Sequence, residues 1–257
     1  QSIGNNMIYQ LNPDNIDFPD PRDGEEDGIF AVGGDLEVDR LLLAYSNGIF
    51  PWYAFRKEDN VFCDENGDPW IQWWCPMKRF VIFPDEIHIS HSMRSLIRKE
   101  RYQFSFNQAF DKVIGYCGQL RIDERGAWLG PHIIDAYTKL HKLGFAASVE
   151  VWDKMPDANA TPKGKEDVEW YYNEKGYRLV GGLYGITLGT AFIGESMFSL
   201  IPNGSKLALI FLAKYLQSHG GQMIDCQIET PHLQSMGGRF ISYDEYMNIL
   251  RPEKEEI

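Results

Sequence analysis

The chain of 257 residues contains no uninterrupted apolar run near the ~20 residues that a membrane-spanning helix needs. Its mean hydropathy is −0.35, and a transmembrane protein is excluded. Cysteine is scarce. The four (Cys63, Cys75, Cys117, Cys226) are widely spaced and form no CxxC pair, so neither a zinc site nor a disulfide framework is indicated, and no metal ligands are assigned. Positive charge is short as well: 25 Lys and Arg face 37 Asp and Glu, a net of −12, which argues against a protein that coats nucleic acid non-specifically. The phosphate loop GxxxxGK[ST], the dinucleotide fingerprint GxGxxG and the zinc motif HExxH are all absent. The opening residues QSIGNN lack a basic segment followed by an apolar one. No signal peptide is expected, and the reading is a soluble cytoplasmic protein with reduced thiols. Aromatic residues are abundant. Seven Trp, 13 Tyr and 15 Phe make 14% of the chain, too sticky for a disordered protein and enough, with the aliphatics, for a full core in one large domain or two small ones.

The acid is unevenly placed. Residues 1–77 hold 15 acids and 4 bases, whereas residues 78–101 hold 6 bases (Lys78, Arg79, Arg94, Arg98, Lys99, Arg101) and 3 acids. A basic island on an acidic protein reads either as a local phosphate contact or as the solvated face of a helix.

Residues 13–28 are rich in Pro, Asp and Gly and read as loop. A helix is expected at about 37–47, started by Asp35 or Asp39 and ended by Gly48. The run Gly48-Ile49-Phe50-Pro51-Trp52-Tyr53 reads as a dense apolar turn, residues 56–69 as a surface loop, and residues 70–84 as one or two strands. From residue 85 helices and strands alternate. Helices are expected at about 91–100, 107–118, 131–143, 205–218, 231–236 and 242–250. Strands are expected at 146–152, across 178–200 as a hairpin turning near Leu188-Gly189, and at 222–228. Residues 153–177 are polar and read as an exposed insertion. The helix at 205–218 is long enough for a right-handed crossover, which makes its flanking strands parallel neighbours. The fold class is therefore α+β (mixed α/β) with a mixed sheet. The expected domains are residues 7–84 and 85–252.

Three features could carry chemistry. On a strand at 223–229, Ile224, Cys226 and Ile228 share one face, a natural core face, while Asp225, Gln227 and Glu229 share the other. An Asp beside a Gln on a central strand is costly unless hydrogen-bonded; on a half-solvated strand it is merely exposed. The second feature is Gly194-Glu195-Ser196-Met197-Phe198-Ser199. It is not a GxSxG nucleophile elbow, because Phe198 fills the last glycine position, and Glu195, amid apolar strand residues, is its notable member. The third is the tryptophans. Most read as core, but Trp52 follows a proline in a loop and Trp128 lies between Gly126 and Gly130, where an aromatic wall can hold an apolar ligand or a stacked base. Arg178-Leu-Val-Gly181-Gly182-Leu183 nearly offers the RxxGxG/A loop that cradles acyl-CoA, but Leu183 replaces the final small residue.

The ordered set of motifs resembles the leucyl/phenylalanyl-tRNA–protein transferase family. The pieces are Val32-Gly33-Gly34-Asp35-Leu36, the GIFPWY run, Trp73-Trp74 with Pro76, His88-Ile89-Ser90, the strand at 148–152, Val180-Gly181-Gly182-Leu183-Tyr184-Gly185, the run at 194–199, Ser205-Lys206 with Ala208-Leu209, and Ile224-Asp225-Cys226-Gln227. The resemblance implies a small N-terminal domain and a C-terminal domain of GCN5-related N-acetyltransferase type. It implies transfer of Leu or Phe, with Met as a further candidate, from aminoacyl-tRNA onto the N-terminal Arg or Lys of acceptor proteins, marking them for degradation. By motif the catalytic pair falls on Asp225 and Gln227 and an associated acid on Glu195. The amino-acid pocket and adenosine wall fall on Trp52, Trp128, Leu183, Phe192, Leu209 and Leu212. Thr230 stands where an Asn can follow the catalytic strand.

Aminolysis of an ester needs neither cofactor nor metal. It needs an amine held near the carbonyl, a proton acceptor and support for the oxyanion. Gln227 is too weak to be a base; it suits accepting a hydrogen bond from the amine, with Asp225 orienting it. Glu195, Asp225 and Glu150 suit a pocket for a cationic N-terminal side chain. Lys78, Arg79, Arg94, Arg98 and Lys99 suit acceptor-stem phosphates. The rival readings are an acyltransferase of the same fold using acyl-CoA and a non-enzymatic acidic interaction protein.

Overall fold

The computed structural model describes residues 8–52, 65, 70–121, 131–162 and 167–252. The chain forms two compact units that alternate along the sequence: Gln1–Arg79, Gly118–Leu140 and Phe240–Ile257 in the first, Phe80–Cys117 and His141–Arg239 in the second. The change of pattern at residue 85 led to an expected division there; the compact units are interleaved along the sequence. The returning segments are tied by sequence-distant aromatics that no local pattern announces. The Tyr45 and Tyr137 hydroxyls meet in the interior of the first unit, and the Tyr246 ring lies 4.5 Å from the Arg79 guanidinium.

In the first unit, strands β1 (Tyr9–Leu11), β2 (Ile29–Gly33), β3 (Phe50–Trp52) and β4 (Gln72–Trp74) form a sheet in the order β1-β2-β4-β3. Helix α1 (Val38–Ser46) buries Leu41, Ala44 and Tyr45, and Phe30, Ala31 and Trp73 are wholly buried as well. Its N-cap is Glu37, without a side-chain cap. Asp35 works one step earlier. Its Oδ1 accepts from the Glu37 N–H (3.0 Å) and from Nε of the fully buried Arg40 (3.3 Å). The helix stops at Gly48, where φ is +75° and an added Cβ would lie 3.1 Å from the Tyr246 ring and 3.2 Å from that of Tyr243. Only glycine combines that backbone with that approach. The GIFPWY run is thus a turn at Gly48 leading into β3.

A seven-stranded mixed sheet lies mostly in the second unit. Its strands are β5 (Lys78–Ile82), β6 (Tyr102–Phe106), β7 (Ala146–Asp153), β8 (Arg178–Leu188), β9 (Ala191–Ser199), β10 (Met223–Gln227) and β11 (Arg239–Ser242), in the order β11-β5-β10-β9-β8-β7-β6. Helices α2 (His91–Arg98), α3 (Phe110–Arg121), α4 (Pro131–Lys142), α5 (Gly204–Ser218), α6 (Pro231–Ser235) and α7 (Tyr243–Leu250) lie within a few residues of their expected places. β9 and β10 are parallel, with Asp225 opposite Ile193, as the crossover helix α5 requires. α5 contributes Leu207, Ala208, Leu209, Ile210, Leu212 and Ala213 to one apolar cluster with Val149, Val151, Val180, Leu183, Phe192 and Ile224. Each large side chain there gains ~1.5–3 kcal/mol on burial.

Other readings change. β6 was not anticipated: its alternation of Tyr102, Phe104 and Phe106 with polar residues spans five positions between two helices. The segment 153–177 is not simply exposed. Val168 is buried, the Tyr116 hydroxyl donates to the Glu169 carbonyl at 2.6 Å, and the buried Arg178 guanidinium lies 4.3 Å from the Trp170 ring and 5.3 Å from that of Tyr172. No helix among the described residues is long and apolar enough to cross a membrane.

Candidate active site

Two bulges on neighbouring strands bring three polar side chains together. Across β8 and β9, Tyr184 faces Ser196 but Gly185 faces Gly194, so Glu195 is the extra residue. Across β5 and β10, Val81 faces Asp225 but Phe80 faces Gln227, so Cys226 is extra. A bulge re-aims the side chains around it and breaks simple alternation. Gln227 itself sits at φ +64°, and the Ile228 N–H bonds back to the Cys226 carbonyl at 2.7 Å. This is a γ-turn of the strained hand, a conformation that costs of order 1–3 kcal/mol for a residue with a side chain.

Asp225 holds the turn. It is fully buried, and its Oδ1 accepts from the Gln227 N–H at 2.7 Å. Gln227 Nε2 donates to Glu195 Oε1 at 3.0 Å. With the amide nitrogen donating to Glu195, the amide oxygen is the other end. The array runs from the Asp225 carboxylate through the Gln227 backbone and side chain to Glu195, and its middle member alone is partly exposed. Burial, and then the Asp225 charge, push the Cys226 thiol well up, which disfavours its thiolate.

Several expectations are corrected. Of the two readings of β10, the central strand holds and the half-solvated alternative falls. The strand lies between β5 and β9, and Met223, Ile224 and Asp225 are buried on both faces. Ile228, expected in the core, is 53% exposed, because the turn at Gln227 ends the alternation. Glu150 is not available to a cationic ligand. Its Oε1 accepts from the Ala109 N–H (3.0 Å) and the Ser148 hydroxyl (2.6 Å), and its Oε2 accepts from the Ser105 hydroxyl (2.7 Å). Arg79 is not available to phosphate. It is buried, donates to the Gly48 carbonyl and lies 5.1 Å from the Phe50 ring. Lys78, Arg94, Arg98 and Lys99 are exposed, with Arg94 and Arg98 one turn apart on α2.

Leu183, Phe192, Leu209 and Leu212 are brought together in the apolar cluster, each at most 3% exposed. Trp52 is 44% exposed, in contrast to the wholly buried Trp73, and its ring lies 5.2 Å from that of Trp74. Trp128 lies outside the described residues, as does most of the loop expected at 56–69.

One feature went unread. His232, at the start of α6, is half-buried, and its Nε2 is sealed from solvent with no hydrogen-bond partner among the described residues. Burial, and then the charge of Lys206, hold its imidazole below the ordinary histidine range. Thr230 caps that helix by accepting from the Leu233 N–H at 3.1 Å.

The comparisons define the class first. A family model described as "Leucyl/phenylalanyl-tRNA protein transferase" matches residues 81–156 and 166–251, and a model of that family's N-terminal domain matches residues 34–77. The gap between the first two stretches falls inside the segment 153–177. Proteins named leucyl/phenylalanyl-tRNA–protein transferase from Idiomarina loihiensis (41% identical, covering 96% of this chain and 93% of that one), Flavobacterium psychrophilum (41%, 92% and 96%) and Vibrio atlanticus (42%, 96% and 91%) are similar over nearly the whole length. The chain is an aminoacyltransferase, and it belongs to the leucyl/phenylalanyl-tRNA–protein transferase family. A solved structure, that of L-PGS from Bacillus licheniformis, is similar at a TM-score of 0.37 and 11% identity over 76% of this chain and 51% of that one, too distant to carry an argument.

Proposed function

We propose that this protein transfers Leu or Phe from aminoacyl-tRNA to the N-terminal Arg or Lys of acceptor proteins, in the cytoplasm, where charged tRNA is found, and that the second unit is an acyltransferase domain of GCN5-related type. The observation that carries the reading is the Asp225–Gln227–Glu195 array on adjacent bulges. The acceptor's free α-amine attacks the ester carbonyl carbon, a tetrahedral oxyanion forms, and the bond to the ribose oxygen breaks. The amine proton ends on that ribose oxygen. Gln227 supports the attack through its amide oxygen, which accepts from the amine N–H, while its nitrogen stays fixed on Glu195. Asp225 is a positioning residue, holding the turn that aims Gln227. Near-attack geometry of this kind accounts for much of an aminolysis barrier. Glu195 also supplies negative charge for a cationic acceptor residue.

The apolar cluster containing Leu183, Phe192, Leu209 and Leu212 suits a Leu or Phe side chain if one of its members yields space. An apolar site discriminates only by ~1–3 kcal/mol per methylene, so neighbouring amino acids such as Met are discriminated weakly. Trp52 has the exposure that stacking on a terminal base requires. Lys78, Arg94, Arg98 and Lys99 suit acceptor-stem phosphates and reconcile tRNA use with a net charge of −12. Acyl-CoA is disfavoured as donor: besides Leu183, Arg178 of the near-RxxGxG loop is occupied by Tyr172 and the Asp157 carbonyl. The deciding assay offers labelled Leu on tRNA or on a thioester to a peptide beginning with Arg. Transfer from tRNA alone supports the proposal; transfer from the thioester alone sinks it.

A further inference from the structure

β9 carries Glu195, and β10, parallel to it, carries Gln227. Each strand leads at its carboxyl end into a helix: α5 begins at Gly204 and α6 at Pro231. Both helices therefore start from the edge of the sheet where ligands of parallel strands bind. Lys206 lies in the first turn of α5, half-buried, in a turn with no acidic residue. It forms no ion pair or hydrogen bond among the described residues. A cation there opposes the positive end of the helix dipole, so its place is not explained by the stability of α5. On α6, His232 has its Nε2 buried and without a hydrogen-bond partner among the described residues, and the Lys206 charge adds to burial in disfavouring its protonated form. Lys206 and His232 thus lie on two helices that leave the same edge of the sheet, and among the described residues no acidic side chain pairs with either.

A half-buried lysine with no counter-charge among the described residues suits an anion, and the substrate supplies a single kind. The amino acid of the donor carries an ammonium group, its adenosine is neutral, and the acceptor's N-terminal residue is cationic, so Lys206 repels the acceptor. The first negative charge from the reacting ester is the phosphodiester on the 5′ side of the terminal nucleoside. We infer that Lys206 and His232 form the subsite for that phosphodiester, Lys206 by charge and His232 through an N–H on its buried ring nitrogen. The inference rests on the proposed transfer reaction and deepens it, by giving the short 3′ end a fixed point beside the array that handles the ester.

The test compares two minimal donors, phenylalanyl-adenosine, which has no phosphate, and phenylalanyl-CpA, which has one. Lys206→Met keeps the apolar stem and removes the charge. It should raise KM for the CpA donor about tenfold, leave KM for the adenosine donor nearly unchanged, and leave kcat for both intact. Lys206→Arg should recover most of the loss, and His232→Gln should shift KM the same way by less. Equal losses with both donors, or none with either, would overturn the assignment. A second measurement uses aminoacyl-tRNA itself: leaving one single-strand phosphate without its cation should lower the slope of log KM against log salt by about 0.7, and an unchanged slope counts against the subsite. Failure of the wild-type enzyme to use aminoacyl-tRNA at all would instead remove the transfer reaction on which the inference stands.

Discussion

Glu150 and Glu195 are both buried carboxylates on the same sheet, and their surroundings differ in kind. Glu150 spends both oxygens on donors of the fold: the Ala109 N–H just before α3 and the hydroxyls of Ser148 and Ser105. Its one partly exposed member, Ser105, accepts in turn from the Trp152 indole N–H, so the network closes on the fold. Glu195 stands at a bulge and holds the side chain of Gln227, which is partly exposed and sits on a strained turn. Burial marks both residues, so burial alone does not separate structure from chemistry. The separation lies in where the hydrogen bonds lead and in whether the backbone carries strain that packing would otherwise avoid.

The contrast is most exposed to test at the array itself. Gln227→Ala and Asp225→Ala should each lower turnover by ~10²-fold or more with tRNA binding nearly intact. Near-wild-type turnover in either variant removes that residue from the mechanism. On the other side, Glu150→Ala strands two buried donors, the Ala109 N–H and the Ser148 hydroxyl, and should cost roughly 3 kcal/mol of stability, with a matching fall in Tm and little change in kcat of the folded fraction. A Glu150 variant that melts normally but loses activity would reverse the contrast with Glu195.

Smaller effects draw the same distinction among apolar residues. Leu209→Ala in the shared core should cost ~2–5 kcal/mol. Trp52→Ala should leave Tm nearly unchanged and raise KM for Phe-tRNA or Leu-tRNA about tenfold, since stacking on an aromatic is worth ~1–3 kcal/mol per base. If Tm collapses instead and the folded enzyme binds normally, Trp52 is a packing residue despite its exposure. The smallest effect is expected at the surface. Charge reversal at Arg94 and Arg98 should weaken tRNA binding and flatten its salt dependence by roughly one unit for each phosphate that is no longer neutralised. Unchanged binding at low salt makes that face of α2 a solvated helix face.

Much of the architecture was legible. The period of α5, with caps and glycines at its ends, announced a crossover and with it the parallel pairing of β9 and β10. The short strands β1, β2, β3, β6 and β11 were not legible, because three to five residues cannot establish a period. At the site, the residue types of Asp225, Gln227 and Glu195 were readable. Their relation was not, because a strict period of two places Ile228 in the core and leaves Glu195 unconnected. Glu150 and Arg79 were misjudged for one reason: a charged side chain in a sequence does not disclose whether donors or acceptors elsewhere in the chain will consume it.

By itself the sequence determined the family, through motifs in order, and the helices and long strands, through periodicities that are local properties of the chain. Only the tertiary structure decided which charges are spent and which remain available. Register shifts, the left-handed turn at Gln227 and the capture of Arg79 by the Gly48 carbonyl arise from residues distant in sequence competing for the same space and the same hydrogen bonds, and no local pattern records the outcome of that competition.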